Sequence, residues 1–173
     1  QWSSSAASDV YKRQLIITAA NIYFELDNKE AFKLAMSEAI EKEPNNPVLY
    51  YNLGVVSGEL GEKEDAVSYY EKSIELDPSN ENSYLNLVAL ILDGEQEIVN
   101  EMNNLGTSRA DNLRYDELKK VREDLYKQCV PILKDLIAIN NNVEAIRTLM
   151  NIYGTLGDNP GYVERRNLLD QQE

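Results

Sequence analysis

The sequence predicts an all-α fold, a right-handed solenoid of antiparallel helix pairs in about four repeats. Three observations predict it. EKEPNN (41–46) and ELDPSN (75–80) are near copies, and their prolines, Pro44 and Pro78, stand 34 residues apart. A period of that length fits two helices and their turns. Within it, apolar and small residues recur at i, i+3, i+4 and i+7, one face of a helix. Gly and Pro fall where those helices must stop.

The chain opens on QWSSSAASDVYKRQ (1–14), which has no hydrophobic period before Leu15. SDVYKRQ resembles a translated sequencing-adaptor scar, so 1–14 is set aside from fold reasoning. The natural protein is then expected to start further upstream. A single repeat domain is expected over 15–173, with units at about 13–46, 47–80, 81–142 and 143–173.

The first unit places Ile16, Ala19, Ala20 and Tyr23 on its first helix and Met36, Ala39 and Pro44 on its second. Phe32 stands where a small residue is expected, so the packing there must open or shift. The second unit, PVLYYNLGVVSGELGEKEDAVSYYEKSIELDPSN, is the clearest. Tyr50, Leu53, Gly54 and Ser57 share one face of its first helix, and Gly61 ends it in a left-handed cap. Ala66, Tyr70 and Ser73 line the second helix, and Pro78 lies just past its end. Gly54 and Ala66 are small so that the two helices can approach closely.

This pattern resembles the tetratricopeptide repeat family. Its signature reads here as Tyr50, Leu53, Gly54, Ala66, Tyr70 and Pro78, with Ser57 in place of Tyr and Ser73 in place of Ala.

The third unit is stretched. Its first helix starts at about Glu81, with Tyr84, Leu87, Val88 and Ile91 in register, and its second is recognisable only over 129–139. About 28 extra residues lie between. Both helices are expected to be extended into a hairpin insertion at about 94–120, tipped by GTSRADN (106–112). Asp93-Gly94 is the weak point of the first long helix, and Pro131 should bend the second. The last unit carries Ile146, Leu149, Met150 and Tyr153, then an LGD turn. Asn159 and Pro160 read as N-cap and first helical residue. Val163, Leu168 and Leu169 are expected inward, with Glu164, Arg165, Arg166 and Asp170 outward.

PVLYYNLGVV, LILDGE, NNLGTSRADN and AIRTLMNIYG together resemble a group of bacterial tetratricopeptide proteins with this long-hairpin insertion. The resemblance spans nearly all of 15–173 and implies protein binding. It also implies a cell-envelope or periplasmic location, because members often carry an export signal. A cytoplasmic location stays open.

Composition narrows the function classes. Lys plus Arg total 17 against 30 Asp plus Glu, a formal net charge of −13, which argues against nucleic acid and anionic membranes. No apolar run is long enough to span a bilayer. There is no His and a single Cys, Cys129, expected to be a buried packing thiol. No catalytic residue, metal site or cofactor is expected, and the chain reads as a binding protein, not an enzyme.

The resemblance puts the binding groove on the first helices, at Asn21 and Phe24, Tyr51 and Val55, Leu85 and Ala89, and Arg147 and Asn151. The apolar members read equally as core between repeats. Chaperone-binding relatives clamp a C-terminal carboxylate with several basic residues at such positions. Here Arg147 is the only base among them, which argues against that clamp. The tip residues Ser108, Arg109, Asp111, Asn112 and Arg114 read either as a docking knob or as a capped turn in which Asp111 or Asn112 starts the next helix. A scaffold that holds a protein or peptide is therefore the leading expectation. The alternatives are a self-assembling module joined through Leu15, Ile16 and Ile17, or an accessory region of a longer protein.

Overall fold

A computed structural model describes residues 18–20 and 22–171. The adaptor-like segment, Leu15, Ile16, Ile17 and Asn21 lie outside the described residues. Every regular element among the described residues is helical. The chain divides after Leu87 into two compact units.

In the first unit, helical residues at 18–20 and 22–25 are followed by α1 (Lys29–Lys42), α2 (Pro47–Glu59), α3 (Lys63–Leu76) and the start of α4 (Glu81–Ile91). Asparagine starts the first two of these helices. Asn28 caps α1 by accepting from the Ala31 N–H at 3.1 Å, and Asn46 caps α2 from the Val48 N–H at 3.1 Å. Each satisfies a donor that the first helical turn leaves unpaired. Gly61 closes α2 at φ 80°, a left-handed turn that favours glycine.

The core of this unit joins Ala20, Phe32, Ala35, Met36 and Ala39 to Leu49, Leu53 and Val56. Phe32 is accommodated within it, 9% exposed. The α2–α3 pair packs as its small residues require. A Cβ on Gly54 would stand 2.6 Å from the Tyr70 ring, closer than real contacts allow. Ser73, where an alanine is usual, is buried but paired. Its hydroxyl donates to the Pro47 carbonyl at 3.0 Å and accepts from the Ser83 hydroxyl at 2.9 Å. That satisfies a polar atom which burial would otherwise penalise. The acidic turn before α3 also does more than sit in water, because Lys33 of α1 contacts Glu62 and lies 3.5 Å from Asp65.

The second unit contains the end of α4, then α5 (Glu95–Asn104), α6 (Arg109–Asn140), α7 (Val143–Leu156) and α8 (Asn159–Asp170). The expected single long first helix is instead two, α4 and α5. Gly94 adopts φ 89° between them, so Asp93-Gly94 breaks the helix instead of kinking it. The hairpin tip is also shorter than GTSRADN. α6 already starts at Arg109, with Ser108 as its cap in place of Asp111 or Asn112. From there α6 runs 32 residues without interruption through Pro131.

Buried Cys129, Leu133, Leu136 and Ile137 of α6 meet Ala145, Ile146, Leu149 and Ile152 of α7 in an apolar core. α7 ends at Gly157 (φ 73°). Asp158, not Asn159, caps α8, accepting from the Gly161 N–H at 3.0 Å. Two further expectations on α8 are reversed. Val163 is exposed, at 53%, and the Arg165 side chain is largely covered, at 13%. The Arg165 stem is covered up to its Nε, which is buried without a hydrogen-bond partner, and only its Nη2 end reaches Glu164, at 2.9 Å.

Candidate functional site

The positions named from repeat register divide between the two units. In the first, Phe24 and Val55 line one hollow of 230 Å³, together with Tyr23, Phe32, Asn52 and Val56. Phe24 is 67% exposed yet its ring stacks obliquely on Phe32 at 5.8 Å. The rim is polar, and Lys29 of α1 pairs with Glu59 of α2 across it at 3.2 Å. The lining thus sets apolar Phe24, Phe32, Val55 and Val56 beside charged Lys29 and Glu59.

Tyr51 lies half-buried to one side. Its ring stands 6.1 Å from that of Tyr70, and the Asn86 amide donates to Tyr51 at 3.3 Å and Tyr70 at 3.5 Å. Burial raises the Tyr70 phenol above its ordinary value, partly offset by the Asn86 hydrogen bond. Leu85 is half-buried on the same helix as Asn86.

In the second unit Ala89, Arg147 and Asn151 are exposed. Arg147 and Asn151 line a hollow of 390 Å³ with Met150 of α7 and Tyr162, Arg166 and Leu169 of α8. Ala89 lines neither hollow.

The tip residues are engaged in folding the hairpin. Ser108 and Asp111 form a reciprocal capping box, each side chain accepting from the other's backbone N–H at 3.1 Å. Arg114 forks onto Glu101 of α5 at 2.7 and 3.2 Å, and reaches Glu117 at 3.2 Å. That pairing lowers the Glu101 carboxyl and raises the Arg114 guanidinium. Arg109 and Asn112 are exposed. Deeper in the hairpin, Glu95 accepts from Arg122 at 2.8 Å and contacts the Tyr126 hydroxyl, while the Arg122 guanidinium lies 5.2 Å from the Tyr126 ring centre. Burial first, then Glu95, raises the Tyr126 phenol.

Cys129 is fully buried, and burial pushes its thiol up to about 12. A thiol kept protonated is not a nucleophile. Among the described residues there is no grouping of acids and Cys suited to a metal ion, and no helix is long and apolar enough to cross a membrane.

The tetratricopeptide repeat family model matches residues 47–80, the span of α2, α3 and the turn that follows. The chain carries a tetratricopeptide repeat. No curated protein matches it in sequence. Among solved structures, it is similar to a Bacteroides ovatus chain described as a candidate protein-binding protein, with TM-score 0.67 and 23% identity over 84% of this chain and 74% of that one. It is also similar to the MamA RS-1 ArsTM double mutant, with TM-score 0.62 and 19% identity over 94% of this chain and 77% of that one. A third is the first tetratricopeptide domain of Spaghetti (RPAP3), solved with the HSP90 peptide SRMEEVD, with TM-score 0.52 and 19% identity over 85% and 97%.

The tetratricopeptide signature accounts for the buried members Leu53, Gly54, Ala66 and Tyr70, and for Tyr50, whose hydroxyl donates to the Pro44 carbonyl at 3.0 Å. Pro78 is exposed beyond α3. Register reasoning missed Arg166, Tyr162, Asn52 and Lys29, all of which line the two hollows. Arg166 and Tyr162 belong to the second helix of their pair, and a rule that reads only first helices passes over them. A helical wheel of 159–170 could have found Tyr162, Arg166 and Leu169 at i, i+4 and i+7, one face of α8.

Proposed function

We propose that this chain is a scaffold that holds a peptide or protein segment on the exposed faces of its helix pairs, and that it is not itself an enzyme. The observation that carries the reading is the first-unit hollow of 230 Å³, lined by half-buried Val55 and by Phe24, whose ring is open to solvent. Exposed aromatic surface beside a hollow is costly to leave wet and marks a binding face. The similarity to a tetratricopeptide domain solved with a peptide supports the same role. We further propose that the four helix pairs from about residue 15 act as one binding domain, and that the groove positions outrank the hairpin tip, because Ser108, Asp111 and Arg114 are committed to each other and to α5.

The test is selection of peptides from a displayed random library on the purified chain, followed by titration of the enriched peptides. Phe24→Ala combined with Val55→Asp should weaken them about tenfold or more without lowering the unfolding temperature by more than a few degrees. Arg109→Ala with Asn112→Ala should leave them bound. The reading fails if no peptide is enriched, or if the enriched ones ignore the Phe24 and Val55 changes.

A further inference from the structure

The chain is acidic overall, yet two of its arginines share one hollow without a carboxylate partner. Arg147 on α7 and Arg166 on α8 both line the 390 Å³ depression, both are exposed, and among the described residues neither makes an ion pair. Elsewhere in the same unit, Arg114 is taken by Glu101 and Glu117 and Arg122 by Glu95, whereas Arg109 stands exposed at the hairpin tip with no second arginine beside it in a hollow. Asp170 also lines the hollow, four residues beyond Arg166, and does not reach ion-pairing distance. The hollow therefore holds two positive charges against one negative. Met150 and Leu169 give it an apolar wall, and the Asn151 amide adds a hydrogen-bonding group.

We infer that the hollow between α7 and α8 binds an acidic segment of a partner, its carboxylate held between Arg147 and Arg166 and a neighbouring apolar side chain lying on Met150 and Leu169. The inference rests on the peptide-binding reading and names the class of peptide for this face. Two guanidinium forks are matched to carboxylate geometry, and among the described residues no carboxylate pairs with either. The volume lies within the range of about 300–1,000 Å³ typical of ligand pockets and has room for an acidic side chain with its neighbour. The net charge of −13 does not forbid it. Beyond about 8 Å at physiological salt the remaining carboxylates are screened, and the local balance decides.

Fluorescence anisotropy of two labelled peptides on the intact chain tests this. One probe is fluorescein-Gly-Leu-Glu-Glu-Leu-Gly amide, and the other carries Gln at both Glu positions. The Glu probe should bind about tenfold or more tightly than the Gln probe, and weaken as NaCl rises from about 50 to about 300 mM. Arg166→Gln and Arg147→Gln, both at exposed positions, should each cost most of that preference while Lys120→Gln on α6 leaves it intact. Equal binding of the two probes, absence of binding, or a Glu preference indifferent to both arginine changes overturns the inference. Because Arg166 lies outside the first-unit hollow, loss of library peptides through Phe24 and Val55 with no Glu preference sinks this inference alone and leaves the scaffold reading standing.

Discussion

Gly54 shows how closely a single residue can set the distance between two helices. An added Cβ would stand 2.6 Å from Cε1 and 2.7 Å from Cδ1 of Tyr70, a ring that is 5% exposed and tethered to Asn86. Gly54→Ala should therefore destabilise the first unit by about 1–3 kcal/mol in chemical denaturation, although alanine is the better helix former. Unchanged or increased stability would mean that the ring can move aside.

Cys129 makes the second residue-scale prediction. Burial keeps its thiol protonated up to about 12. At pH 8 the folded chain should resist thiol reagents and the denatured chain should react fully, as following thiol release with and without denaturant will show. The sign of the linkage follows. The folded thiol holds its proton more firmly than the unfolded one, whose value is 9.0, so this contribution to stability is complete below pH 9 and is lost as pH rises toward about 12. Both features trace to spacing: Gly54 falls where the α2 and α3 side chains meet, and Cys129 falls at a buried small-residue position of α6.

At the scale of elements, α6 tolerates Pro131 in its interior. Proline there forfeits a backbone hydrogen bond and crowds the preceding turn, at a cost of about 3 kcal/mol in an ordinary helix. Its side chain is exposed, so Pro131→Ala should remove no core packing and raise the stability of the second unit by about 1–3 kcal/mol. Ser108→Ala should act in the opposite sense, costing about 1 kcal/mol by opening the capping box. Denaturation of both variants beside the parent decides the two signs.

The elements also show where sequence reading stops. Helix existence was legible from the 34-residue period and the small-residue pattern. Helix starts were misplaced by one to four residues, at Ser108 and Asp158, since several residues able to cap stood side by side and only the backbone selects one. The break at Gly94 was seen as a weakness but not as a left-handed turn, because a glycine inside an apolar pattern is compatible with either. Arg165 was placed outward because a charged residue on a terminal helix is usually solvated. Its stem instead covers surface that α8 would otherwise leave wet.

For the whole molecule, the account is that of paired helices whose outward faces carry two separate hollows, one apolar with a charged rim and one lined by unpaired arginines. The positions that line them were partly legible. Phe24, Val55, Arg147 and Asn151 follow from repeat register, whereas Lys29, Tyr162 and Arg166 come from second helices that register does not rank, and Asn52 stands on α2 between the two positions that register selects. Self-association through Leu15, Ile16 and Ile17 is a separate possibility that sedimentation answers: the parent and a Leu15→Glu, Ile16→Glu variant should both run as monomers if the hollows, and not that end, carry the function. The most direct measurement of the central claim is amide chemical-shift mapping of the isotope-labelled chain with a library-selected peptide. The account predicts that the largest shifts fall around Phe24, Asn52 and Val55, or around Arg147, Asn151 and Arg166. Shifts concentrated instead at 105–114 on the hairpin tip, or spread over no defined face, would contradict it.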